Sequence, residues 1–389
     1  MVTVGASGRE VVLRAGDYRA RIVTVGAGLA GLTYRGHEFI VPHSVDECPP
    51  AYLGKVLMPW PNRVAGGTYS WEGVSYDLPV DEHAFGTSLH GFVAFQEWEI
   101  AEADASSVLL RTLIPARYSY PWTLVASARY SLDPERGLAV ELSATNIGEG
   151  IAPYGVGFHP YLAVDGGQVD DLELENPASI IYEADASMIP VAPHDVASFG
   201  LDFRSPTLIG TSLLDHAFGG LPEGTWTVTL RDPASGVGVS LSSDAPWLQV
   251  YSADNIDRVG VAVEPMSCPP NAFNSGTDVV TLATATRCAH ASRAPSPPSR
   301  LRRQRESASG RPRQPWRNAG HWPQGRLFEL RRPPAERSPP DRFLPRGRQS
   351  GQRARAGTHP QHLPAPVQGR LPGTAWPPRD RRRPPRPRP

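Results

Sequence analysis

The 389-residue sequence holds three cysteines, a single lysine and no long apolar run. Cys48, Cys268 and Cys288 are too few for a disulfide framework, and no C-x-x-C spacing marks a structural zinc site. No stretch approaches the roughly 18 apolar residues of a transmembrane helix. The opening Met1-Val2-Thr3-Val4-Gly5 lacks the charged start and apolar core of a signal peptide. These absences point to a cytoplasmic protein with reduced thiols and no membrane partner. Helical patterning is scarce too: no apolar stripe of helical period runs beyond about ten residues.

Net charge is zero, with 39 Lys+Arg against 39 Asp+Glu, but the signs are segregated. Up to Ala283, 14 basic residues face 34 acidic ones, a balance of −20. The remaining 106 residues carry 25 arginines and 5 acids, a balance of +20, and 21 of the 42 prolines. Residues 1–283 read as one domain, long enough for a well-buried core. Residues 284–389 read as an Arg/Pro-rich tail that cannot bury enough apolar surface to offset its ordering entropy, and are expected to be disordered.

Within the first 283 residues, strands announce themselves by alternation. Leu138, Val140, Leu142 and Ala144 alternate with Ala139, Glu141 and Ser143; Trp226, Val228 and Leu230 alternate with threonines; Val237, Val239 and Leu241 repeat the pattern. Tyr69-Ser70-Trp71, Glu72-Gly73 and Val74-Ser75-Tyr76 read as a hairpin, and residues 133–137 as a second inter-strand loop. Many short strands with Gly/Pro-rich turns predict an all-β sandwich or barrel. Gly26-Ala27-Gly28-Leu29-Ala30-Gly31 matches the glycine spacing of dinucleotide-binding folds, but Leu32-Thr33-Tyr34-Arg35-Gly36-His37 continues as strand and turn. Without a helix to meet the pyrophosphate, the glycines mark a β connection.

Four clusters could carry chemistry. Met58-Pro59-Trp60-Pro61-Asn62-Arg63 sets an aromatic face beside polar forks, as a sugar would need, or is a surface loop with a packing Trp. Leu89-His90-Gly91 and Gly157-Phe158-His159-Pro160-Tyr161 hold histidines in stiff backbone, for proton transfer or for structure. In Val261-Ala262-Val263-Glu264-Pro265, alternation sets Val261 and Val263 on one face and Ala262 and Glu264 on the other. A carboxyl among apolar neighbours has a raised pKa and suits a general base; the alternative is a strand-edge salt bridge.

Together these clusters resemble the aldose 1-epimerases (galactose mutarotases), in order and spacing, from residue 5 to about residue 282. Leu214-Asp215-His216-Ala217-Phe218 and Leu248-Gln249-Val250-Tyr251-Ser252 fit as well. The resemblance implies a large antiparallel β-sandwich of the galactose mutarotase type, with the sugar on a concave face. It implies Glu264 as general base, His159 as general acid and His90 as a second histidine near the ring oxygen. It further implies Asp215 gripping hydroxyls, Asn62, Arg63 and Gln249 binding substrate, and no metal or organic cofactor. The implied activity is interconversion of the α and β anomers of a free hexose, galactose or glucose. With only Lys55 and 13 arginines in a strongly acidic domain, a hexose 6-phosphate is the second choice. A non-catalytic sugar-binding domain is the third.

The resemblance stops near Asp278-Val279-Val280-Thr281-Leu282. No closing strand of the family's kind follows, and the abrupt lysine-free Arg/Pro text is what a shifted reading frame in GC-rich DNA would give. The expectation is therefore a domain short of one strand, with an unpaired sheet edge, and a tail without function. Nothing in the tail has the spacing of a nucleic-acid-binding module.

Overall fold

The computed structural model describes residues 4–285 and 326–333. The chain divides into a unit of Met1–Ala335 and a unit of Glu336–Pro389, and the second lies wholly outside the described residues. The expectations of disorder and frame shift for the rest of the tail fall there too.

Among the described residues, the first unit is an antiparallel β-sandwich with two single-turn α-helices, Val196–Phe199 and Ala272–Ser275. Its larger sheet has nine strands, running from Glu99–Ala103 through Ser107–Ile114, Leu124–Asp133 and Gly137–Asn146 at one side. Arg326–Arg331 comes next, followed by Gly238–Ser243, Trp226–Arg231, Glu173–Glu175 and Thr207–Leu208. The second sheet has eight, and from Asp215–Gly219 it runs through Trp247–Tyr251, Val261–Met266 and Gly157–Phe158 to Val56–Leu57 at its end. Inward-facing residues of both sheets share one core, including Tyr130, Val140 and Leu241 from the first and Phe218, Val250 and Val263 from the second. Strict alternation of buried and half-buried residues along Leu124–Asp133 shows why its period-two pattern is readable: one face meets the core and the other does not.

The hairpin at Thr68–Trp71 and Val74–Asp77 is present, as is the turn joining Leu124–Asp133 to Gly137–Asn146. The Gly28–Tyr34 segment is a strand paired with Tyr18–Val23, which leaves no helix start for a nucleotide. Two expectations are corrected. Arg326–Arg331, assigned to the disordered tail, is a strand paired on both sides, between Gly137–Asn146 and Gly238–Ser243, so no unpaired edge lies there. Trp60 is not a sugar platform: it is buried, with its ring 4.8 Å from Phe92 and 5.6 Å from Phe273.

Candidate active site

Three neighbouring strands of the eight-stranded sheet carry a row of polar side chains. Gln249 lies directly opposite Glu264 across one ladder, and Asp215 begins the strand on the other side of Gln249. Gln249 Nε2 donates to Asp215 Oδ1 at 2.7 Å. His159 extends the row, because Gly157–Phe158 is the next strand after Val261–Met266. Its backbone is held at both ends: the His159 N–H donates to the Lys55 carbonyl at 3.0 Å, and its carbonyl accepts from Gly54 N–H at 2.9 Å. His159 Nε2 stands 3.4 Å from Glu264 Oε1.

His90 arrives from outside the sheet, on a tight turn locked to Asn62. The His90 N–H donates to the Asn62 carbonyl (2.9 Å), and the Asn62 N–H donates to His90 Nδ1 (3.1 Å). Both residues adopt left-handed backbone, with φ of 60° and 56°. Gly91 completes the turn at φ 72°, and a Cβ there would meet the Met58 carbonyl oxygen at 2.1 Å, so only glycine fits. The imidazoles of His90 and His159 lie 5.2 Å apart, edge to face. Because His90 Nδ1 accepts a hydrogen bond, a neutral His90 carries its proton on Nε2 and acts there as a donor.

Arg63 is the cation of the cluster. Its Nε and Nη2 grip Glu82 at 2.8 and 2.9 Å, and Nη2 lies 3.9 Å from Asp215 Oδ2. Burial opposes the Arg63 charge, but the Glu82 hydrogen bonds and the surrounding carboxylates raise its pKa above the ordinary value. The Asn62 side-chain carbonyl accepts from Arg63 N–H, so this residue's visible work is to shape the loop.

Burial governs the protons. It pushes Glu264 well above the usual carboxylate range, aided by Asp215 and opposed by Arg63. It raises Asp215, against Arg63 and Gln249. It pushes His159 down to about 3, and holds His90 well below its ordinary value. The imidazolium expected at His159 is therefore disfavoured, and one proton shared by the Glu264–His159 pair rests on the carboxyl side. Among the described residues, Glu264 Oε2, His159 Nδ1 and Gln249 Oε1 are buried without hydrogen-bond partners, in one small region. Such orphaned groups are costly unless a ligand satisfies them.

His90, His159 and Glu264 each offer a ligand atom within 4.8 Å of the others, a spacing that could hold a metal ion. The chemistry of the donor set argues against one: with His90 Nδ1 accepting from the Asn62 backbone, its other nitrogen presents a proton where an ion needs a lone pair.

The chain matches the family model described as aldose 1-epimerase over residues 9–291. The chain belongs to the aldose 1-epimerase family. It is 46% identical to the Escherichia coli K12 protein YihR over 276 residues, covering 71% of this chain and 89% of that one. Mouse galactose mutarotase is 25% identical over 224 residues, 53% of this chain and 64% of its own. In fold, it resembles the aldose epimerase homologue of Caenorhabditis elegans, with TM-score 0.65 and 21% identity over 72% of this chain and 95% of the other. Galactose 1-epimerase of Lactobacillus acidophilus gives TM-score 0.61 and 22% identity over 70% and 90%.

All seven residues singled out in the aldose 1-epimerase resemblance lie in this neighbourhood. Three more residues border them: Tyr52 and Glu82, which no motif named, and Tyr161, named only within the His159 motif. Tyr52, at φ 55°, sets its ring 4.6 Å from His90 and 6.3 Å from His159, stacked on the latter, with half-exposed Phe95 beyond it at 5.1 Å. Tyr161 stacks on His159 at 5.0 Å and donates to the Ala51 carbonyl, tying the Tyr52 loop to the sheet. Glu82 aims Arg63 and accepts from Thr87 Oγ1. A cavity of about 470 Å³ opens beyond Asp215, lined by Phe199, Leu213 and His216, and does not include His90, His159 or Glu264.

Proposed function

We propose that this protein is an active aldose 1-epimerase that opens and recloses the ring of a free hexose. The observation that carries the reading is the pair of orphaned buried atoms, Glu264 Oε2 and His159 Nδ1, on two acid–base groups 3.4 Å apart. A scaffold that only bound sugar would have no use for a proton-sharing pair at that distance.

Anomer exchange requires the C1 hydroxyl to lose a proton while the ring oxygen gains one. Sugar hydroxyls reaching the two orphaned atoms hydrogen-bond the charged forms, which favours Glu264 as carboxylate and His159 as imidazolium. Binding thus moves the shared proton from the Glu264 carboxyl to His159 Nε2, and the resulting imidazolium can give up its Nδ1 proton. Glu264 then takes the C1 hydroxyl proton, His159 protonates the ring oxygen, and His90 donates a hydrogen bond from Nε2 to the same region. The ring opens to the aldehyde, C1 turns about the C1–C2 bond, and the roles reverse on closure. Arg63, Asp215 and Gln249 hold the remaining hydroxyls, and Tyr52 offers a ring face to the sugar's C–H face.

A neutral hexose suits this site better than a phosphorylated one. Arg63 is already neutralised by Glu82, and Asp215 and Glu264 leave the cluster with excess acid. The test follows the optical rotation of freshly dissolved α-D-galactose and α-D-glucose. We expect a rate above the spontaneous one, reduced on the order of 10²–10⁴-fold by Glu264→Gln and by His159→Ala, with both variants folded by circular dichroism. Turnover near that of the unmodified chain in either variant would overturn the assignment. Acceleration of glucose 6-phosphate alone would reassign the substrate to sugars charged at C6.

A further inference from the structure

We infer that the Arg326–Arg331 strand, which lies beyond the segment matching the family, is a working part of the site, and that Phe328 positions the catalytic histidine. The inference rests on the proposed function for the role of His159. The strand pairs antiparallel on both sides, with Leu138 opposite Leu330 and Val140 opposite Phe328 on one neighbour, and with Leu241 opposite Leu330 and Ser243 opposite Phe328 on the other. It is the fifth of nine strands, so its absence would leave two four-stranded pieces with facing unpaired edges. The neighbours are shaped for it. Gly137 comes so close that a Cβ there would stand 2.3 Å from the Leu330 carbonyl oxygen, and the Tyr18 hydroxyl accepts from Arg332 N–H at 3.3 Å.

Phe328 and Leu330 are fully buried and join the common core. The Phe328 ring stacks on Phe158 at 6.0 Å and 17°, and Tyr130 meets Phe158 edge-on at 6.3 Å. Phe158 immediately precedes His159, and in extended backbone the two side chains point to opposite sides. What holds Phe158 from within the core therefore sets the imidazole over Glu264. Removing the Phe328 ring opens a cavity into which Phe158 relaxes, and misplacement by about 1 Å costs roughly 10²-fold in a reaction that depends on alignment.

The full chain tests this in two independent ways. Cysteines at the register partners Ser242 and Glu329, with Cys48 and Cys288 changed to serine, should form a cross-link within one chain on oxidation. No cross-link, or one joining two copies, would overturn the claim that this chain's own strand fills the place. In kinetics, Phe328→Ala should lower kcat about 10- to 100-fold with KM changed less than about twofold, and Phe328→Leu should recover most of the loss. A Phe328→Ala enzyme with unchanged kcat, or one whose loss falls on KM, would sink the positioning role. The cross-link needs no activity, so failure of the mutarotase reading and failure of the strand are told apart.

Discussion

At the scale of single residues, the site is an arrangement of charges held where charge is costly. Glu264 has a pKa raised by burial, so the folded chain holds a proton that the unfolded chain releases at lower pH. The stability this gives is fully present below the unfolded carboxyl's pKa and is lost as pH rises through the raised folded value. Glu264→Gln removes that loss. Thermal denaturation should show the glutamine variant matching the parent near pH 5 and exceeding it increasingly towards pH 8, while its turnover collapses. Such a trade of stability for activity is characteristic of working acid–base sites. His159 runs the other way: its pKa is lowered to about 3, so its contribution is present above the unfolded imidazole's pKa and is lost as pH falls through that value towards 3. His159→Ala should therefore weaken the acid limb of a pH–stability curve. A curve for either variant parallel to the parent's would mean these groups do not titrate as their burial dictates.

At the scale of elements, what could be read in advance depended on whether a pattern was local. Leu124–Asp133 and Trp226–Arg231 alternate because one face meets the core, and such a pattern survives in the bare text. The two-residue strands Val56–Leu57, Gly157–Phe158 and Tyr161–Leu162 are too short to show any period, although they carry or buttress His159. The histidines, Glu264 and their partners were legible through the order of small motifs along the chain. Tyr52 and Glu82 were not, because a left-handed loop and a pairing across 19 residues have no local signature. Arg326–Arg331 was hidden by composition: Phe328 and Leu330 do alternate with Glu329 and Arg331, but within Arg/Pro-rich text that drowns four residues of period. The His90 turn gives the sharpest test of an element. Gly91→Ala forces a side chain into positive φ against a carbonyl, and should destabilise by more than ~1 kcal/mol in chemical denaturation while lowering kcat by displacing His90. An alanine variant with parental stability would show that this turn has another conformation open to it.

At the scale of the whole molecule, two sheets, a long-range strand and a polar row form one thermodynamic unit, so a bound sugar should stabilise all of it. A ligand at 100 times its Kd adds about 2.7 kcal/mol to a state that alone binds it. For a domain of this size that amounts to a rise in Tm on the order of 5 °C. Galactose should produce such a rise in the parent and, because glutamine keeps the shape of the glutamate, in Glu264→Gln also, although that variant no longer turns over. Asp215→Asn should lose much of the rise if Asp215, aligned by Gln249 and Arg63, holds hydroxyls as proposed. The two variants thereby separate chemistry from grip. If Glu264→Gln lost the stabilisation together with the activity, Glu264 would be acting first as a binding group, and the proton-sharing pair would no longer distinguish an epimerase from a sugar-binding scaffold.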